Sequence, residues 1–388
     1  MGGEEFLNKK LDERRQQNAL RQLKLPEGKV DFCSNDYLGI ATNGLIEKAL
    51  LGESASLGES ASIGESASSG EQASLRGLSH GSMGSRLLAG NYSLVEETEK
   101  MLADFHATPA GLIFNSGYDA NLGVLSCIPQ KGDTVLYDSL CHASIRDGMR
   151  LSFARAFSFA HNDLMELEKK LKLVADGTCF VVTESVFSMD GDLAPLREMA
   201  ALCRRFNAHL IVDEAHATGI IGPKGEGLVQ ELGLQEECFA RIHTFGKAVG
   251  CHGAIVLGSV LLRDYLINFS RSFIYTTALP PVSVEAIAVA YRLLPLLNET
   301  RDRLRRNIVL FKDAAIGYQR LDSPTAIQGV VVTGNEKVKK MAARLQEAGL
   351  DVRPILSPTV AAGSERLRIV LHAFNTEEEM EKLVSMLR

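Results

Sequence analysis

Leu210-Ile-Val-Asp213-Glu214-Ala215-His216 decides how the rest of the chain is read. Three consecutive apolar residues, two of them β-branched, end on an acid and then a histidine. A short apolar run of this kind, with no polar alternation, is the pattern of a strand covered on both faces. In open α/β sheets, ligands gather beyond the carboxyl ends of such strands, which is where Asp213 and His216 fall. Runs of the same type recur at Thr134-Val-Leu-Tyr-Asp138, Cys179-Phe-Val-Val-Thr183 and Gly253-Ala-Ile-Val-Leu257, with a shorter one at Leu112-Ile-Phe114. Helical stretches lie between them. Asp163–Val174 has apolar residues at 164, 167, 171 and 174, and Pro195–Phe206 opens on a proline suited to a first helical turn. Ser93 and Glu96 are spaced as a capping box ahead of a helical period running to Phe105. The pattern predicts an α/β fold with a mostly parallel sheet. It breaks near Leu279-Pro280-Pro281, after which amphipathic helices and short strands near 328–333 and 366–371 suggest a smaller α/β domain.

Composition bounds the function. The chain has 388 residues, 45% apolar and 23% charged, enough to bury a sizeable core. With 42 Lys plus Arg against 48 Asp plus Glu, the net charge is −6. Bulk charge therefore does not hold this chain to nucleic acid or to an anionic membrane. The first ten residues lack an apolar signal core, no run approaches a membrane span, and seven scattered cysteines form no C-x-x-C pair. The expectation is a cytoplasmic protein with reduced thiols and no metal site. Residues 5–25, charged and punctuated by leucines, are expected to form a surface helix that stops at Pro26. Between 52 and 75 a six-residue repeat, Gly-Glu-Ser-Ala-Ser-Leu and three variants, has too few large apolar residues to build a solenoid. It is expected to be a surface insertion.

Several strand ends carry reactive side chains. His142 follows the run ending at Asp138, and Ser185 and Ser188 follow the one ending at Thr183. Asn115-Ser-Gly-Tyr118 leads from an apolar run into a helix, and small-residue turns of this kind present amide N–H groups that can seat a phosphate. Lys247 stands in Thr244-Phe-Gly-Lys-Ala248, a glycine-flanked and otherwise apolar turn. A partly desolvated lysine there can serve as a nucleophilic amine. Asp-Glu-Ala-His also occurs in ATP-driven helicases, but that chemistry needs an upstream G-x-x-x-x-G-K-[ST] loop, which this sequence lacks. His216 with Asp213 is a weak metal pair, since no further ligands stand at metal-site spacing.

Beyond these readings, the chain resembles the α-oxoamine synthases, a branch of the fold-type-I pyridoxal phosphate enzymes. The matching segments include Leu11-Asp-Glu-Arg-Arg15, Ser34-Asn-Asp-Tyr-Leu-Gly39, Gly81-Ser-Met-Gly-Ser-Arg-Leu-Leu-Ala-Gly-Asn91, Asn115-Ser-Gly-Tyr118 and His142-Ala-Ser144. His161-Asn-Asp163, Val186-Phe-Ser-Met-Asp-Gly-Asp192, Val212–Gly219, Thr244–Lys247, Phe273–Pro281 and Arg366-Leu-Arg368 follow in family order. Two departures stand out: a short stretch between Leu25 and Asp31, and the repeat inserted before the Gly81–Asn91 loop.

The resemblance implies a fold-type-I transferase with a mostly parallel, seven-stranded-type sheet. Its expected domains are an N-terminal helical segment 1–33, a large domain 34–277 and a small C-terminal domain 278–388. It implies pyridoxal 5′-phosphate as cofactor, with Lys247 as the tethering amine and base, Asp213 at the pyridine nitrogen, His216 at the phenolic oxygen and His142 over the ring. Gly117, Tyr118, Ser188 and Thr244 would seat the cofactor, with Thr276 and Thr277 reaching a phosphate across a homodimer. Arg368 would take the substrate carboxylate, Asn35 would contact the amino acid, and Arg21 and Thr359 would touch the acyl substrate. The implied reaction is a decarboxylative condensation of L-alanine with a pimeloyl thioester on CoA or an acyl carrier protein. Glycine- and serine-using siblings are the near alternatives, and a non-catalytic binding subunit is the remote one.

Overall fold

The computed structural model describes residues 4–23, 25, 28–51 and 78–388. The repeat at 52–75 and part of the short 25–31 stretch lie outside the described residues. The chain divides into two compact units. One comprises residues 38–187 and 193–301, the other residues 1–37, 188–192 and 302–388. These boundaries differ from the expected 1–33, 34–277 and 278–388. The helix Pro281–Leu293 packs on the helix Ser93–Phe105 and so belongs with the first unit, although it follows the proline break. The N-terminal segment, in turn, joins the C-terminal unit through the parallel pair Val30↔Leu350 and Asp31↔Asp351.

The larger unit is built on seven strands: β1 (Ala110–Phe114), β2 (Thr134–Asp138), β3 (Arg155–Phe159), β4 (Cys179–Glu184), β5 (Ala208–Asp213), β6 (Cys238–Thr244) and β7 (Ala254–Gly258). Their order is β1-β7-β6-β5-β4-β2-β3, and β7 alone runs antiparallel to its neighbours. Side chains alternate between two cores. Phe180, Val182 and Ile211 pack on one face with the helices Gly117–Cys127 and Ala143–Leu151. Val181, Leu210 and Val212 pack on the other with Leu167, Leu196 and Met199. A sheet covered on both faces explains the unbroken apolar runs Phe180-Val-Val182 and Leu210-Ile-Val212 in its central strands. β3 is the exception. It is an edge strand with four of its five residues exposed, and no apolar run announced it.

Two local expectations are corrected. The N-terminal helix spans Glu5–Gln16 and ends well short of Pro26, where Asn18 adopts a left-handed φ of 52°. Asparagine tolerates that conformation better than most residues, and it ends the helical run. The proposed box at Ser93 and Glu96 does not form. Tyr92 is the N-cap, with no side-chain cap, and Glu96 Oε1 instead accepts from Asn91 Nδ2 at 2.8 Å.

The smaller unit contains a three-stranded antiparallel sheet, Arg353–Ile355, Arg366–Val370 and Ile327–Val331 in that order. It also holds the segment Ser188–Asp192. Ser323 and Thr325 hydroxyls donate to the Gly191 carbonyl at 3.0 and 2.8 Å, and Arg366 pairs with Asp190. Gly191 has φ +75°, and a Cβ there would lie 2.2 Å from the Ile327 carbonyl, so only glycine fits. Among the described residues, no helix is long and apolar enough to cross a membrane.

Candidate active site

Strand pairing in the larger unit brings the carboxyl ends of β4, β5 and β6 together, with Glu184 in register with Asp213 and Asp213 with Ile242. Asp213 is 5% exposed. Its Oδ2 accepts from Asn121 Nδ2 at 2.7 Å and its Oδ1 from the Ala215 amide at 2.9 Å. A buried carboxylate with a donor on each oxygen is held in place and poised to face a cation. His216, three residues on, is also buried. Glu214, between them, faces away from ligand chemistry. It accepts from the amides of Leu228 and Val229 and from Ser185 Oγ, and so braces the following turn.

His142 caps the helix Ala143–Leu151. Its amide donates to Glu184 Oε1 at 2.6 Å, and its Nδ1 lies 2.8 Å from Ser144 Oγ. The residue as a whole remains exposed to solvent. Partial desolvation and the charge of Lys247 lower its pKa, against the opposing pull of Asp213. Glu184, fully buried beside Asp213, has its carboxyl pushed up to about 8 by burial first and by the Asp213 charge second, with Lys247 pulling the other way. Lys247, half-buried in the turn after β6, thus acts electrostatically on both.

Gly117, Tyr118 and Thr244 meet at the start of the helix Gly117–Cys127. Ser116 caps that helix, its Oγ accepting from the Asp119 amide. A Cβ on Gly117 would lie 2.4 Å from Thr244 Cγ2, so the glycine is what lets β6 and the helix approach. Thr244 Oγ1 is buried without a hydrogen-bond partner. An orphaned hydroxyl beside the amides of a first helical turn suits a phosphate. Tyr118 is 44% exposed, its hydroxyl donating to Asp147. Asn115 Nδ2 holds the next element, donating to Thr276 Oγ1 at 3.0 Å and the Thr277 carbonyl at 2.7 Å. With an anchored anion, an amine and this phosphate seat in one unit, the residues present fit pyridoxal phosphate.

The remaining candidates lie in the smaller unit. Arg368 Nε donates to the Ser188 carbonyl at 2.8 Å and Nη2 to Asn35 Oδ1 at 3.0 Å, which also accepts from Tyr37 at 3.2 Å. Two of the guanidinium's five N–H groups are engaged, which orients the rest. Arg21 and Thr359, 338 residues apart in sequence, meet at 3.5 Å on an exposed surface. Ser188, expected with the cofactor group, clusters by its backbone with this unit.

Three residues here were missed by the motifs. Asn121 stands one helical turn beyond Gly117, a spacing that could have shown it. Ser144 is two residues past His142. Glu184 is visible only through the register that sets it beside Asp213.

The family model "Aminotransferase class I and II" matches residues 27–387. An 8-amino-7-oxononanoate synthase from Emericella nidulans is 41% identical, over 96% of this chain and 92% of the relative. A serine palmitoyltransferase solved with pyridoxal phosphate as its internal aldimine is 28% identical and superposes with a TM-score of 0.87, over 100% of this chain and 98% of that one. The crystal structure of an 8-amino-7-oxononanoate synthase from Francisella tularensis is 27% identical with a TM-score of 0.72, over 93% and 97%. The chain belongs to the aminotransferase class I and II family, and within it to the α-oxoamine synthases, pyridoxal phosphate-dependent acyltransferases of fold type I. A further 8-amino-7-oxononanoate synthase, from Methylococcus capsulatus, is 40% identical over 92% of this chain and 88% of the relative.

Proposed function

We propose that this chain joins L-alanine to a pimeloyl thioester, on CoA or an acyl carrier protein, giving 8-amino-7-oxononanoate, CO2 and the free thiol. The observation that carries the reading is the 41% identity to an 8-amino-7-oxononanoate synthase along nearly the whole chain. The serine palmitoyltransferase superposes more closely than the Francisella enzyme, 0.87 against 0.72. Superposition measures the backbone common to the branch, whereas identity also reflects the side chains that shape a pocket. Identity therefore weighs more in choosing the substrate.

When bound, pyridoxal phosphate supplies a ring that withdraws electrons from the amino acid's Cα. The chain's residues do the rest. Lys247 would hold the cofactor through its Nζ and act as the base that takes the proton from alanine's Cα. Asp213, held by Asn121 and Ala215, would keep the pyridine nitrogen protonated. His216 would hydrogen-bond the phenolic oxygen, and His142 would cover the ring face. Thr244, with the turn at Gly117 and Tyr118, would seat the cofactor's phosphate. Arg368 binds the alanine carboxylate, helped by Asn35, while Arg21 and Thr359 meet the acyl thioester. The working form is a homodimer in the cytoplasm, each subunit offering Thr276 and Thr277 to its partner's phosphate.

The test is thiol release on mixing the protein with L-alanine and pimeloyl-CoA, against glycine with acetyl-CoA and L-serine with palmitoyl-CoA. Turnover with the first pair supports the reading. Turnover confined to either of the others reassigns the chain to a sibling activity. A protein that shows no cofactor absorbance band and no turnover would be the binding subunit.

A further inference from the structure

Hydrogen bonds whose direction can be counted link Asp213 and His142. Asn121 and Ser144 lie between the two, both buried, 3% and 1% exposed. One Asn121 Nδ2 proton goes to Asp213 Oδ2 at 2.7 Å, and the same nitrogen reaches Ser144 Oγ at 3.1 Å. Ser144 Oγ thus accepts from Asn121 and keeps its own proton to give. His142 Nδ1 stands 2.8 Å from that hydroxyl, and the Ser144 main-chain N–H donates to the same Nδ1 at 3.2 Å. A main-chain N–H can only donate, so Nδ1 is an acceptor and carries no proton. The Ser144 hydroxyl proton then points to Nδ1 as well, and the imidazole proton sits on Nε2. Glu184 fixes the other side of the residue by accepting the His142 amide.

We propose that Asn121 and Ser144 are positioning residues, and that their hydrogen bonds, which diverge from the Asn121 amide to the Asp213 carboxylate on one side and through Ser144 to Nδ1 on the other, hold His142 as the neutral tautomer protonated on Nε2. The consequence is chemical: the edge that His142 presents away from Ser144 is a hydrogen-bond donor, while its Nδ1 is closed to proton exchange. The carboxylate that would face the pyridine nitrogen and the ring that would cover the cofactor are then set by the same two side chains. This rests on the reading of Asp213 and His142 as cofactor-facing residues.

The test is nitrogen NMR of the holoenzyme labelled with 15N-histidine, with the His142 signals assigned by loss in His142→Asn. The wild type is expected to show an unprotonated Nδ1 and a protonated Nε2. Ser144→Ala leaves Nδ1 only the longer 3.2 Å main-chain donor, which should admit the other tautomer beside the first and lower kcat about tenfold, the worth of one ordinary hydrogen bond, with KM for alanine unchanged. Ser144→Thr keeps the hydroxyl and should restore both the spectrum and the rate. A wild-type ring protonated on Nδ1, an unchanged tautomer in Ser144→Ala, or no rescue by threonine would each overturn the proposal. A wild-type protein without a cofactor absorbance band would instead count against the functional reading, because the ring's protonation is read independently of turnover.

Discussion

Asp213, Glu184 and Thr244 lie buried at neighbouring strand ends, whereas Arg368 and Asn35 are half-buried and Arg21 and Thr359 are open to solvent. The first group is fixed by the sheet itself. Register sets Glu184 against Asp213, and close packing at Gly117 sets Thr244 against a helix start. The second group is fixed by side chains reaching loops, as when Arg368 meets a Ser188 carbonyl and an Asn35 amide oxygen. Rigid strand ends suit chemistry common to a whole branch, because their geometry survives changes elsewhere. Loop-borne contacts suit substrate choice, because they can be altered without disturbing the core. The two groups should therefore respond differently to mutation.

The largest effect belongs to the strand-end group, to which half-buried Lys247 in the turn after β6 is joined. Lys247→Ala should abolish thiol release, by about a thousandfold or more, since no other amine in the turn replaces the nucleophile. Far-ultraviolet circular dichroism should show the fold retained. If Lys247→Ala kept even a tenth of the activity, the contrast between the groups would be lost. Next comes Arg368→Ala, which should raise KM for alanine about a hundredfold and lower kcat much less, as expected for loss of a charge-assisted contact made before the reaction. An equal fall in kcat with KM unchanged would move Arg368 into the first group.

The same contrast explains what the sequence disclosed. Lys247 stood out through its glycine-flanked, otherwise apolar turn, whereas Asp213 and His142 were legible because each ends or follows a strand whose apolar run can be read directly, and ligands collect there. β2, β4, β5 and β7 were legible for the same reason. β3 was not, because an edge strand with exposed residues has no buried face to impose a pattern. The early end of the first helix turns on one asparagine, Asn18, and the false box at Ser93 on Asn91, which competes for Glu96. Asn121 and Glu184 act through partners distant in sequence, and Ser144, although two residues from His142, matters because it joins that residue to Asn121; spacing can mark such residues but does not disclose the register or the hydrogen bonds that connect them. The domain boundary is of the same kind: the proline break is local, while the packing of Pro281–Leu293 on Ser93–Phe105 is not.

A smaller effect tests the electrostatics of the buried group through stability. Glu184 ordinarily has a pKa of 4.5, and in the fold it is raised to about 8. Between those values the folded state keeps a proton that the unfolded state has lost. Stability contributed by the neutral form is therefore complete at low pH and falls as pH rises through the window. Glu184→Gln, which keeps an acceptor for the His142 amide, removes this term. The melting temperature of the cofactor-free wild type should fall more steeply from pH 5 to pH 8 than that of the variant. Parallel curves would mean that Glu184 is ionised throughout and that the buried group tolerates two adjacent charges.

The smallest effect is expected at Arg21. Its bond to Thr359 is 3.5 Å long and exposed, and solvent-exposed polar contacts of that kind contribute little to stability. Arg21→Ala should leave the melting temperature and KM for alanine unchanged and raise KM for the acyl thioester about threefold, a loss at the low end of one ordinary hydrogen bond. The size is modest because a long side chain in water loses entropy on contact and competes with solvent for its partner. Comparing pimeloyl-CoA with the same acyl group on a carrier protein sharpens the result. Arg21 near the acyl chain predicts equal losses with both donors. A loss confined to the CoA donor would place the guanidinium at the nucleotide's phosphates, and a loss confined to the carrier protein would place it at an acidic protein surface. Either outcome would replace the role assigned to Arg21 while leaving the strand-end group untouched, and that separability is what the contrast between sheet-fixed and loop-fixed residues requires.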